Sequence, residues 1–129
     1  MDIGALASRD VLTVEPDRTL SDVARQMNNR HVGSAVVVSE DGQLGIITER
    51  DVLRAVAEGA DPKQTQVERY MTANAIAGSQ SWSVVDAGNR MLQGGFRHLI
   101  VTDEGGNVAG LLSIKDVARA LLSRQGGGA

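Results

Sequence analysis

The feature that most constrains this chain is that it is written twice. GIITERDV at residues 45–52 and GLLSIKDV at residues 110–117 share a glycine, an apolar pair, a hydroxyl residue and, three positions later, an aspartate. The match continues in order on both sides of this phrase. Asp22 aligns with Asp86, Met27 with Met91, Val37 with Val101 and Gly42 with Gly106. After a one-residue gap, Gly45 aligns with Gly110, Asp51 with Asp116 and Arg54 with Arg119. Self-similarity at a fixed spacing is the mark of a repeated supersecondary unit. At 129 residues the chain holds one domain, or two small units that share a core.

Each copy reads as strand, helix, strand, strand, helix. In the first, Val11–Val14 is a β-type run closed by Glu15-Pro16-Asp17. A helix then begins at Thr19, with Leu20, Val23, Ala24 and Met27 at one-face spacing. Ala35–Val38 and Leu44–Thr48 form a hairpin about Glu40-Asp41-Gly42, and a second helix spans Glu49–Glu58 with Gly59 as its stop. The second copy repeats this with strand Ala75–Gly78, a helix from Ser83, strands Leu99–Thr102 and Val108–Leu112, and helix Ile114–Ser123. The boundaries predicted are repeat one over 1–59, a linker over 60–66, repeat two over 67–124 with a helical turn at its start, and a flexible tail over 125–129. The shorter Gln43-Leu44-Gly45 stretch of copy one predicts a shift of register ahead of Thr48.

Composition removes most function classes. The net charge of −3 provides no basic field for a nucleic acid, and Tyr70, Trp82 and Phe96 are too few for a base-stacking surface. With no cysteine, thiol catalysis and zinc–thiolate sites are excluded. There is no nucleophile elbow and no HExxH, and the two histidines, His31 and His98, fall in different copies. Neither an enzyme nor a metal site is expected. No long apolar run predicts a membrane span, and no basic leader precedes the first residues, so a cytoplasmic location is the expectation.

The repeated phrase sits where a helix starts. Thr19–Asp22, Ser83–Asp86, Thr48–Asp51 and Ser113–Asp116 all have the hydroxyl-x-x-carboxylate form of a capping box variant. For the last two pairs a second use is open. A helix start after a buried strand presents N–H groups and the positive dipole end to an anion, and a carboxylate there accepts from both hydroxyls of a ribose.

The unit order, the GIITERD and GLLSIKD phrases and the Val67–Thr72 lead-in resemble a cystathionine-β-synthase (CBS) domain pair, a Bateman module, over nearly the whole chain. The resemblance implies an α/β fold of two β-α-β-β-α repeats packed sheet to sheet about a pseudo-twofold axis, as in stand-alone members. It further implies a non-enzymatic regulatory module without a required cofactor. Its clefts take an adenosyl small molecule (AMP, ADP, ATP or S-adenosylmethionine) as regulatory ligand, and the state is signalled to a protein target the sequence does not name. A disc-like homodimer is expected, supported by apolar residues Val23, Ala24, Met27, Ala87 and Met91 on outer helices. One cleft would use Ser113, Ile114 and Asp116, with Arg97 and His98 on phosphate and Val11 near the base. The other would use Thr48 and Asp51 with Thr72 and Ala75 near the base. The clefts differ, because Phe96-Arg97-His98-Leu99 answers Val32-Gly33-Ser34-Ala35, and Leu6-Ala7-Ser8 answers Tyr70-Met71-Thr72. The competing reading is an interaction or dimerisation module of the same fold whose aspartates only cap helices.

Overall fold

The computed structural model describes residues 1–127, with side chains from 124 onward outside the description. It contains two compact units, residues 11–75 and residues 1–10 together with those from 76 on. Each unit thus keeps the hairpin and helices of one copy and takes its lead-in strap from the other.

In the 11–75 unit the elements are β1 (Thr13–Val14), α2 (Leu20–Arg30), β2 (Ser34–Val38), β3 (Leu44–Thr48) and α3 (Glu49–Ala57), then a single 3-10 turn at Val67–Arg69. The sheet order is β1-β2-β3, with β1 parallel to β2 and β2 antiparallel to β3. Thr19 ends its extended stretch by accepting from the Asp22 amide at 3.2 Å, which starts α2. The apolar stripe of α2 then buries Leu20, Val23 and Met27 against Val14, Val37 and Ile47. Fully burying side chains such as Leu20 and Ile47 contributes roughly 1.5–3 kcal/mol each. Residues 66–72 belong to this unit through backbone bonds, Val67 N–H to Arg18 O at 2.8 Å among them.

The other unit carries α1 (Ile3–Leu6), β4 (Ala77–Ser79), α4 (Val84–Gly94), β5 (His98–Thr102), β6 (Val108–Ser113) and α5 (Ile114–Gly127), with sheet order β4-β5-β6. Helix α1, absent from the sequence reading, is fixed by residues remote in the chain. Ile3 N–H donates to Trp82 O and Gly4 N–H to Gln80 O, both at 2.9 Å. Ile3 is buried with Val84, Met91, Leu99 and Leu112. The expected tail over 125–129 falls partly within α5, which runs to Gly127; residues 128 and 129 lie outside the described residues.

Two sequence arguments are corrected. The extra residue of the second copy is absorbed as a bulge between Val101 and Thr102, so register at the site is unshifted: Ser34 faces Thr48 just as His98 faces Ser113. And Val23, Met27, Ala87 and Met91, taken as outward-facing, are 0–4% exposed, while Ala24 is half-buried. Each helix turns its stripe onto its own sheet. The large exposed apolar side chains are others, among them Leu53, Val56, Val85, Leu92 and Leu122.

Candidate functional site

Strand β6 runs without a break into α5, and β3 into α3. At each junction the hydroxyl and the aspartate close a reciprocal cap. Asp116 Oδ2 accepts from the Ser113 amide at 3.1 Å and its hydroxyl at 2.9 Å, and Ser113 Oγ accepts from the Asp116 amide at 3.1 Å. The Thr48–Asp51 junction matches it at 2.9, 3.0 and 3.2 Å. One oxygen of each carboxylate is therefore committed to holding the helix start, and any further partner must meet Oδ1.

The glycine of the repeated phrase has a separate cause. Ser8 and Leu111 exchange two backbone hydrogen bonds of 3.0 Å, and Thr72 and Ile46 do the same at 2.8 and 3.0 Å. Each lead-in strap so crosses its strand one residue from the glycine. A Cβ on Gly110 would lie 3.0 Å from both Ala7 Cβ and Ser8 O, and one on Gly45 would lie 2.9 Å from Met71 Sδ and 3.0 Å from Thr72 O. The glycine admits the strap, and the strap lies beside the capped helix start.

The structure gathers most of the sequence-derived site residues into two groups. In one unit His98 faces Ser113 across the sheet and the Arg97 carbonyl accepts from the Ile114 amide at 2.8 Å, so Arg97, His98, Ser113, Ile114 and Asp116 are local to one junction. In the other, Thr48 and Asp51 share their unit with Thr72, and with Ala75, whose amide donates to Leu44 O at 2.9 Å. Val11 belongs to that second group's unit, ahead of β1.

One part of the anion argument changes. The first-turn amides of Ile114 and Asp116 are taken by Arg97 O and Ser113 Oγ, and those of Glu49 and Asp51 by Gly33 O and Thr48 Oγ1. Direct phosphate recognition by these N–H groups is closed off. The helix dipole remains, and the donors fall to side chains, namely exposed Arg97 and the exposed first-turn Lys115, which sequence reasoning passed over. The Thr48 junction keeps a first-turn cation, exposed Arg50 in the place of Lys115, but has no counterpart of Arg97 and adds a carboxylate. Glu49 stands where the other copy has Ile114, and its Oε1 would lie 3.3 Å from a Cβ on Gly33, the counterpart of Arg97.

The outward oxygens also differ. Arg54 Nη2 donates to Asp51 Oδ1 at 3.3 Å, whereas Arg119 Nη1 stands 3.9 Å from Asp116 Oδ1 with its side chain 79% exposed. Among the described residues no group of His, Asp and Glu is placed to hold a metal ion, and no helix is long and apolar enough to cross a membrane. A hollow of about 410 Å³ in the 11–75 unit borders the Thr48 junction, edged by Met27, His31, Gly33 and Glu49.

Comparison with known proteins places these junctions in context. The sequence profile of the CBS domain matches residues 3–58 and again residues 67–123. A CBS domain-containing protein of Bacillus subtilis is 33% identical over 119 residues, covering 92% of this chain and 84% of that protein. A CBS domain-containing protein of Arabidopsis thaliana is 38% identical over 117 residues, 90% of this chain but 22% of that protein. Among solved structures, a CBS domain protein of Pyrobaculum aerophilum complexed with AMP superposes with a TM-score of 0.82 at 26% identity, covering 98% of this chain and 99% of that one.

Proposed function

The chain belongs to the CBS domain family, and from that premise we propose that it is a non-catalytic regulatory module that binds an adenosyl nucleotide at the Ser113–Asp116 junction and passes the bound state to a partner protein. One observation carries this reading. Asp116 is anchored through Oδ2 by its own cap while Oδ1 is held no closer than 3.9 Å by a solvated arginine. A carboxylate positioned in this way is pre-oriented to accept from the two hydroxyls of a ribose, and an ionised acceptor makes the stronger bond. Arg97, one residue before β5, brings a planar fork of donors for phosphate, and half-buried Ile114 supplies an aliphatic face for a purine. His98 faces the Ser113 position and adds a second polar group to the phosphate side. The AMP complex of the Pyrobaculum relative supports an adenosine monophosphate core as the ligand class.

A homodimer forms part of the proposal, resting on the exposed helical side chains Leu53, Leu92 and Leu122 at 68%, 74% and 68% exposure. Sedimentation at micromolar concentration tests it, and a monomer there removes this part.

The ligand is tested by thermal shift with AMP, ADP, ATP and S-adenosylmethionine. A ligand at a hundred times its dissociation constant stabilises by about 2.7 kcal/mol, a shift of several degrees in a chain of this length. The expected result is a shift with at least one adenosyl ligand that Asp116→Asn abolishes. Absence of any shift leaves the aspartates as helix caps and the chain as an interaction module.

A further inference from the structure

The two copies spell the same carboxylate, but the structure treats them differently. Asp51 Oδ2 is used by its cap, and Oδ1 accepts from Arg54 Nη2 at 3.3 Å. That same Nη2 donates to the Tyr70 carbonyl at 3.0 Å, and the guanidinium carbon lies 5.1 Å from the centre of the Tyr70 ring. The Tyr70 hydroxyl in turn donates to Glu58 Oε1 at 3.1 Å, and Glu58 Oε2 stands 4.0 Å from Arg54 Nη1. Asp51, Arg54, Tyr70 and Glu58 form a closed ring of contacts, and a planar cation held by both a carbonyl and an aromatic face has little freedom to swing away.

Among the described residues nothing comparable is built around Asp116. Arg119 occupies the place of Arg54, but Leu6 stands where Tyr70 would be, and Leu6 has neither ring nor hydroxyl. Arg119 is left 79% exposed at 3.9 Å, and the Asp116 side chain is 30% exposed against 17% for Asp51.

We propose that Arg54 is a latch on Asp51, locked by Tyr70, that closes the Thr48–Asp51 junction to nucleotide, so that the chain takes one adenosyl ligand rather than two. The proposal rests on the reading that the aspartate of each junction is the ribose acceptor. With Oδ2 in the cap and Oδ1 on Arg54, a ribose at Asp51 must displace a bound cation before it can be accepted. Its phosphate would also meet the Glu49 carboxylate where the other junction offers Arg97. Arg54 and Arg119 are the same residue in the two copies, so the difference between the junctions lies in Tyr70 against Leu6, outside the repeated phrase, and in Glu49 against Ile114 within it. Breaking the ring opens the second site. Because Arg54 is half-exposed at the helix surface, its replacement removes the latch without disturbing the core.

Isothermal titration calorimetry with AMP, and separately with S-adenosylmethionine, tests this on the full chain. The wild type is expected to take one equivalent, and Arg54→Ala two, with affinity at the Asp51 junction rising roughly 5- to 30-fold as the latch is lost. Tyr70→Leu, which copies the lead-in of the other strap, gives the same gain, and Asp51→Asn in the Arg54→Ala background cancels it. Two equivalents in the wild type, or one in both proteins, overturns the latch while leaving nucleotide binding intact. No heat from either ligand in wild type and variant alike overturns the binding reading together with the latch. Circular dichroism of each variant confirms that the fold is retained.

Discussion

Replacing Gly110 by alanine is expected to be among the most damaging single-methyl changes in this protein. The added carbon would sit 3.0 Å from Ala7 Cβ and from the Ser8 carbonyl oxygen. Carbon atoms in contact prefer about 3.5–4.0 Å, so the strap must retreat by about half an ångström or more. Neither obstacle is the tip of a flexible side chain, so no rotamer change relieves the contact. Retreat of the strap weakens the two 3.0 Å backbone bonds between Ser8 and Leu111, each worth about 1 kcal/mol net. Overpacking of this kind costs about 1–3 kcal/mol, offset by the roughly 0.5–1 kcal/mol that alanine gains over glycine in a strand. With the two weakened bonds together adding about 1 kcal/mol, the net loss is about 1–3 kcal/mol, or roughly 3–12 °C in the midpoint of a far-ultraviolet circular dichroism melt. Gly88→Ala is the matched control. Its Cβ would meet only Val117 Cγ1, at 3.0 Å, and alanine gains about 1 kcal/mol over glycine inside a helix, so its midpoint is expected within a few degrees of wild type. A Gly110→Ala protein that melts with the wild type, or a Gly88→Ala protein that falls as far, refutes the account of why the phrase begins with glycine.

Further expectations follow from the two junctions. Asp116→Ala removes the acceptor of the Ser113 amide and hydroxyl, and nucleotide-free protein should lose about 1 kcal/mol, read as a lowered urea midpoint at constant slope; an unchanged midpoint contradicts the cap. Tyr70 is the chain's single tyrosine, so an alkaline absorbance titration reports on it alone. Partial burial, then the hydrogen bond to Glu58 and that carboxylate's charge, raise its phenol above 10.0. The folded state therefore favours the protonated form, and the stability linked to it is present below pH 10.0 and is lost as pH rises through the folded value. Glu58→Gln should bring the titration midpoint back toward 10.0, and a midpoint unmoved by that change rules out the ring drawn around Arg54.

What the sequence discloses here is what short-range chemistry decides. The duplicated phrase, the caps at Thr19, Thr48, Ser83 and Ser113 and both hairpins depend on residues a few positions apart, and each is found where the spacing put it. Helix α1 escaped notice because Trp82 and Gln80 define it, across most of the chain's length. The stripes of Val23 with Met27 and of Ala87 with Met91 were legible, but periodicity does not say which way a stripe faces, and both face inward. The inequality of Asp51 and Asp116 was half-visible. The Arg97-for-Gly33 exchange can be read from aligned copies, whereas Arg54 reaches Tyr70 across sixteen residues and matters only through a carbonyl and a ring brought together by folding. Likewise the amides of Ile114, Asp116, Glu49 and Asp51 look available in the sequence and are occupied in the structure.

The central claim is that Asp116 receives a ribose. A crystal structure of the full chain grown with AMP tests it most directly. The account predicts a ribose hydroxyl within hydrogen-bond reach of Asp116 Oδ1, about 2.5–3.0 Å, with the phosphate toward Arg97 and no nucleotide at Asp51. Nucleotide seated away from Asp116, or none bound at saturating AMP, would contradict it and return the repeated carboxylates to helix capping alone.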